Sequence, residues 1–290
     1  MLLQRSLLFV PGNRPELLEK AGRFPADVLC LDLEESVPPD DKSSARGLVR
    51  DAVARLSGEG RTVHVRVNST ASGLTRDDLA AVVQSGLAGV LLAKTQSAQH
   101  VRQIDVLLRE QELAHDVRPG TVELIAAIES AQALLRCEEI SRTSTRLVAL
   151  MLGGEDFTFD LGVARTRDAD ELTYARSHIA TCARAASLSA LDTPWVEIED
   201  IEGLEADSRR ARTLGFAGKY AIHPSHLDAI HRVFTPSDEE VAEARKLLER
   251  WDAAVARGDG VVQLDGRMVD GPIAERARAL IERATAARGR

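Results

Sequence analysis

The residues best suited to chemistry close two apolar runs in the stretch 122–162, VELIAAIESAQALLRCEEISRTSTRLVALMLGGEDFTFDLG. The first run ends in Glu129 and the second in Gly153-Gly154-Glu155-Asp156. Both have the length and continuity of strands buried on two faces. Each finishes on an acid where the strand must meet solvent. Two carboxylates at the same ends of neighbouring parallel strands can share one hard cation, and the glycines let an anionic ligand approach the backbone. Taken singly, Glu129 also reads as a first-turn acid of the next helix and Asp156 as the cap of another. The matched pair favours the cation.

The elements that must position this pair follow from the rest of the chain. Apolar runs alternate with helical patterns, as βαβ units do. Strands are predicted at Ser6–Val10, Val28–Leu33, Thr62–Asn68, Gly89–Lys94, the pair above, Leu191–Ile198 and Lys219–His223. Eight strand–helix units make a (β/α)8 TIM barrel. A doubly wound sheet is the alternative, but the segment after the first strand is PGNRP, not G-x-G-x-x-G, and no Walker-type loop is present. The barrel domain is placed at residues 1–235. Residues 236–290 form a C-terminal helical extension and lid, with helices at Asp238–Ala256 and Pro272–Ala287 around a Gly- and Asp-rich excursion.

The predicted strand ends carry Arg14, the Asp32/Glu34/Glu35 group, Arg66 with Asn68, Lys94, Glu129, Asp156 and His223, each polar where the strand behind it is apolar. In barrels this rim houses the active site. Alternation along the third strand sets Val63, Val65 and Val67 against the helices and turns His64, Arg66 and Asn68 the other way. A dense acidic set facing an arginine suits a carboxylate beside a carbonyl, chelated to Mg2+. Arg66 also reads as a structural partner of one of these acids. Lys94 reads as an acid-paired rim lysine rather than a Schiff-base former, and His223 as a strand-end hydrogen bonder rather than a general acid.

The net charge of −8 argues against general nucleic-acid binding. No run of apolar residues is long enough to span a membrane, and the start MLLQRSLLFVPG lacks the features of a signal peptide. Three scattered cysteines exclude a disulfide scaffold and a zinc cluster. A cytoplasmic enzyme is expected.

Seven motifs in order, RSLLFVPGNRPE, LCLDLEESV, VHVRVNS, IAAIESAQ, GGEDFTFDLG, YAIHPSH with VFTPS, and DGRMVDGP, resemble the citrate lyase β-subunit-like acyl-CoA lyases of the HpcH/HpaI aldolase/citrate lyase superfamily. The resemblance implies a magnesium-dependent barrel, with Mn2+ as a substitute metal, assembled as a homotrimer or a hexamer of trimers. It implies cleavage or formation of the carbon–carbon bond in a 3-hydroxyacyl-CoA such as citramalyl-, malyl- or citryl-CoA. The products would be a 2-keto acid and acetyl-CoA or a homologue. A malyl-CoA thioesterase at the same site, or a citrate lyase β subunit dependent on acyl-carrier-protein thioesters, is the alternative. Position by position, Glu129 and Asp156 match the metal ligands. Arg66 matches the arginine on the keto-acid carboxylate, with the Gly154 and Glu155 amides beside it. Glu34 matches an acid near the metal's waters, and Glu35 stands where the family usually has Asp. Arg14 falls in the segment that meets the coenzyme A phosphates. Asp270 matches the tail aspartate that serves as acid or base at the acetyl carbon, reaching a neighbouring subunit. Ala93 and His226 depart from the family's Pro and Gln.

Overall fold

The structure, a computed structural model, describes residues 4–264 and 266–288. The apolar runs fold as β1 (Ser6–Pro11), β2 (Val28–Asp32), β3 (Val63–Val67), β4 (Gly89–Leu92), β5 (Glu123–Ile128), β6 (Leu147–Leu152), β7 (Ser189–Asp192) and β8 (Gly218–Ala221). They pair in parallel in sequence order, and β8 returns onto β1 to close the barrel. Closure requires Gly218: a Cβ there would lie 1.8 Å from the Gln4 carbonyl oxygen.

Strand alternation sorts the side chains. Val28 and Cys30, Ile125 and Ala127, and Ala149 and Met151 fill the barrel interior. The same period of two carries the inner face up to Asp32, Glu129 and Gly153 at the mouth. On β3 the three valines are fully buried, and Arg66 reaches the mouth. His64, one inward step below Arg66, is fully buried with neither ring nitrogen hydrogen-bonded. Burial alone holds its pKa down at about 4.

Asp192 of β7 and Lys219 of β8 belong to a closed set of four buried charges. Arg176 pairs with Asp192 at 2.9 Å and Asp207 at 2.8 Å, and Lys219 with the same two acids at 2.6 and 2.7 Å. Two cations match two anions, and removing any one would strand a buried charge at a cost of about 3–5 kcal/mol. Asp192 ends β7, so this set fixes where the following loop begins.

Three expectations are corrected. Strand seven, expected to reach Ile198, ends at Asp192, because Pro194 offers no N–H to the ladder. The helix expected after Glu129 is two short helices, Ala131–Leu135 and Cys137–Ser141. The excursion after residue 257 contains an antiparallel hairpin, β9 (Val262–Leu264) and β10 (Arg267–Val269). Asp265 lies outside the described residues.

Two compact units are distinct, Gln4–Ile230 and one beginning at His231. In the second, the helix Asp238–Val255 starts with a capping box between Ser237 and Glu240. The hairpin residues Leu264 and Val269 pack with Trp251 and Ala274. Among the described residues no helix is long and apolar enough to cross a membrane.

Candidate active site

Arg66 anchors the barrel mouth, and the parallel register sets Asp32 directly beside it. Its Nε and Nη2 donate to Asp32 Oδ1 and Oδ2, both at 2.7 Å. Glu34 Oε2 stands 3.4 Å from Nη1, and the Phe9 ring centre lies 4.6 Å from the guanidinium carbon. Phe9 in turn stacks on Tyr220 at 4.8 Å. One edge of the guanidinium is thus taken by Asp32 and one face by Phe9. The group lines a cavity of about 370 Å³. Burial opposes the charge of both partners. Their mutual attraction wins, so the Arg66 pKa is raised and that of Asp32 lowered. The structural partnership open from the sequence is therefore present, and it leaves part of the fork directed to the cavity.

Glu129 follows β5 and is almost fully buried. It does not start a helix, because Ser130 is the N-cap of the next one. Its Oε2 accepts the Lys94 backbone N–H at 2.7 Å. Lys94 holds a left-handed φ of 51°, strained for a lysine. Burial first, and the neighbouring Asp156 second, push the Glu129 carboxyl up to about 7. Gly153 leaves the space this carboxylate occupies: a Cβ there would lie 2.4 Å from Oε1. Asp156 sits in the first turn of the helix Gly154–Leu161, about one-third exposed. It has the favourable helix-start position foreseen as the simpler reading and also shares the cavity wall with Glu129.

The Lys94 ammonium collects the remaining acids. Its Nζ stands 3.0 Å from Glu34 Oε1, 3.5 Å from Glu35 Oε2 and 3.8 Å from Asp156 Oδ1. Burial works against the charge, but these acids, Glu34 foremost, raise its pKa. Lys94 is thus the acid-paired rim lysine. Five acids, Asp32, Glu34, Glu35, Glu129 and Asp156, meet two cations. Such a surplus of carboxylate oxygens is a hard donor set, and the paired carboxylates of Glu129 and Asp156 could hold a divalent ion. Among the described residues no three His, Cys, Asp or Glu side chains are arranged to hold a metal. Magnesium needs only one or two carboxylates, the rest of its shell being water and substrate oxygen.

A family model for HpcH/HpaI aldolase/citrate lyase matches residues 5–224. The chain belongs to this family. It is 38% identical to the citrate lyase subunit beta of Escherichia coli K12, across 97% of this chain and 93% of that protein. To the L-malyl-CoA/beta-methylmalyl-CoA lyase of Cereibacter sphaeroides it is 36% identical, across 97% and 94%. The crystal structure of CitE from Mycobacterium tuberculosis with magnesium, acetoacetate and coenzyme A matches with a TM-score of 0.78 and 31% identity over 98% of each chain.

The remaining residues expected to act in this HpcH/HpaI member are placed as follows. The Gly154 N–H is already donated to Thr193 Oγ1 at 2.9 Å. Glu155 is exposed and bonded to Arg165 Nη1 at 2.9 Å. Arg14, largely exposed, precedes the helix Pro15–Lys20 and bonds Glu16 at 3.0 Å. His223 Nδ1 lies 2.7 Å from Ser225 Oγ, a strand-end hydrogen bond. Asp270 Oδ1 accepts the Ile273 N–H at 3.2 Å, so its carboxylate starts the helix Gly271–Arg288. Sequence reasoning placed Asp32 at the rim as one of the acids open to Arg66 but missed two positioning groups, Phe9 and Thr193. Alternation along β1 points to Phe9. Thr193 gave no signal, since the strand was drawn through it.

Proposed function

We propose that this protein is a magnesium-dependent acyl-CoA lyase, cleaving or forming the carbon–carbon bond of a 3-hydroxyacyl-CoA such as citramalyl-, malyl- or citryl-CoA. The products are a 2-keto acid and acetyl-CoA or a homologue. The observation that carries the reading is the juxtaposition at one barrel mouth of the Glu129–Asp156 pair with a pre-aimed Arg66. Relatives named as citrate lyase β and malyl-CoA lyase support it, as does the magnesium and coenzyme A bound to CitE.

Glu129 and Asp156 would hold Mg2+, or Mn2+ in its place; the ion would stabilise negative charge developing on substrate oxygen. Arg66 grips the keto-acid carboxylate with the edge that Asp32 leaves open, and the backbone at Gly154-Glu155 supports it. Because the Gly154 amide is engaged by Thr193, the backbone share falls first on Glu155. Glu34, between Arg66 and Lys94, keeps both cations oriented, and Glu35 completes the acidic side. In the cleavage direction the 3-hydroxyl gives its proton to water as the adjacent carbon–carbon bond breaks. The electron pair of that bond passes into the thioester as an enolate, which takes a proton at carbon from Asp270 of a neighbouring subunit. Arg14 meets the coenzyme A phosphates. A homotrimer, or a hexamer of trimers, in the cytoplasm is the proposed working form; three free, buried cysteines suit a reducing compartment.

The test is turnover of citramalyl-, malyl-, citryl- and methylmalyl-CoA by the purified chain, with products identified. A keto acid plus acetyl- or propionyl-CoA is expected. Asp156→Ala should lose this activity while keeping its melting profile, and excess chelator should silence the parent. Full activity in either case refutes the reading. Free coenzyme A with an intact hydroxy acid would instead mark a thioesterase, and activity confined to carrier-protein thioesters would mark a dependent subunit.

A further inference from the structure

We infer that the 2-keto acid taken by this site carries a single carboxylate and only hydrogen or a methyl group beyond its carbonyl. That is the glyoxylate and pyruvate class, not the oxaloacetate class. The inference rests on the lyase reading above and narrows its substrate. It comes from how charge is distributed around the cavity of about 370 Å³.

Among the described residues lining that cavity, Arg66 is the one cation. Its Nε–Nη2 edge is closed by Asp32, so it has room for one carboxylate. Three further cations stand nearby, and none lines the cavity. The Lys42 ammonium is held by the Leu33 and Glu34 carbonyls and Asn68 Oδ1. Lys94 is shared among Glu34, Glu35 and Asp156. Arg165, whose side chain is only 9% exposed, is divided between Glu155 at 2.9 Å and Glu171 at 3.3 Å. With a divalent ion matched to Glu129 and Asp156, Arg66, Lys94 and Arg165 each have their acid, and Lys42 spends its three N–H groups on neutral oxygens. Among the described residues lining the cavity, no cation beyond Arg66 is offered to a second substrate carboxylate.

The wall confirms the charge count. Besides Arg66 the lining includes five acids, Asp32, Glu35, Glu129, Glu155 and Asp156, and the apolar side chains of Phe9, Met151, Pro194 and Ile222. A second carboxylate placed against the acids meets like charge, and placed against the apolar side chains it is desolvated. A methyl group placed on Met151 or Ile222 gains burial instead. Hydrophobic pockets discriminate weakly between hydrogen and methyl, but strongly against an unpaired charge. The expected order is therefore citramalyl- and malyl-CoA together, with citryl-CoA far behind.

Two measurements on the full-length protein in Mg2+ decide this. Cleavage of citramalyl-, malyl- and citryl-CoA should give kcat/KM at least ~100-fold lower for citryl-CoA than for the better of the other two. Equal or preferred cleavage of citryl-CoA overturns the inference. If no ester is cleaved, the lyase reading fails and direct binding decides the inference by itself. In calorimetric titrations, pyruvate or glyoxylate should bind at least ~10-fold more tightly than freshly dissolved oxaloacetate. Oxaloacetate binding as tightly as either, or no binding by any of the three, overturns it.

Discussion

A single added methyl group at Gly153 tests the metal site without changing any charge. Gly153 has φ −96°, so alanine suits its backbone, and any effect comes from contact alone. The new Cβ would lie 2.2 Å from Glu129 Cγ and 2.4 Å from Oε1, where ordinary contact begins at 3.4 Å. The carboxylate must therefore retreat by about 1 Å, a shortfall large against the 2.0–2.1 Å bonds and near-ideal octahedron that Mg2+ demands. Retreat also bends or breaks the 2.7 Å hydrogen bond from the Lys94 amide. The group that must move is a flexible side chain beside a cavity, so the fold should lose only about 1 kcal/mol, the low end for overpacking. Magnesium affinity, titrated calorimetrically, should fall at least ~10-fold. Gly12→Ala is the contrasting variant. Its Cβ would lie 2.4 Å from the Asp32 carbonyl oxygen, which is backbone and cannot step aside, so stability in urea should fall further than in Gly153→Ala. If Gly153→Ala binds Mg2+ as the parent does, with Glu129 unmoved or unneeded, the assignment of Glu129 to the metal is wrong.

Two further outcomes follow from the same geometry. Arg66→Lys keeps the charge but loses the planar fork that spans Asp32 and the cavity, so kcat/KM should fall by about 10²-fold or more and pyruvate binding should weaken; unchanged binding would make Arg66 purely structural. His64, with a folded pKa of about 4 against an ordinary 6.5, binds its proton less readily in the folded than in the unfolded state. Stability should therefore fall as pH drops from 6.5 toward 4, by up to roughly 3 kcal/mol at about 1.4 kcal/mol per pH unit. His64→Leu should flatten that part of the urea-denaturation profile, and an unchanged slope would show that His64 finds a partner.

What was legible in the sequence was what period and strand ends can encode. Alternation along β3 turned Arg66 inward, continuous apolar runs predicted eight strands, and the ends of those runs put Asp32 and Glu129 at the rim. What escaped depends on register or on a single torsion. Asp32 grips Arg66 because the parallel pairing puts the two side by side, and nothing in either strand alone states that pairing. The Lys94 amide reaches Glu129 only because Lys94 adopts a φ of 51°, against the preference of its residue type. The tail hairpin was hidden differently. Its strands are three residues each, too short for a periodic signal, although Asp265-Gly266 between them is a two-residue turn signature. Gly266 has the positive φ of 79° that such a turn requires.

The two buried charge groups of the barrel show why one is scaffold and the other a candidate for chemistry. Arg176, Lys219, Asp192 and Asp207 balance two against two, with every partner within 3 Å. Burial raises the Asp207 pKa, but Lys219 and Arg176 more than reverse this and leave it lowered. The group is closed, and a ligand would find no unmet charge there. At the mouth the same physics runs the other way. Five acids meet Arg66 and Lys94, and burial with the neighbouring Asp156 leaves the Glu129 carboxyl raised to about 7. A chain under no demand from a ligand gains nothing by burying a carboxylate whose charge is left uncompensated, since desolvation alone penalises it. The surplus suits the divalent cation that the proposed function places there. The lowered Asp207 belongs to the scaffold and the raised Glu129 to the site.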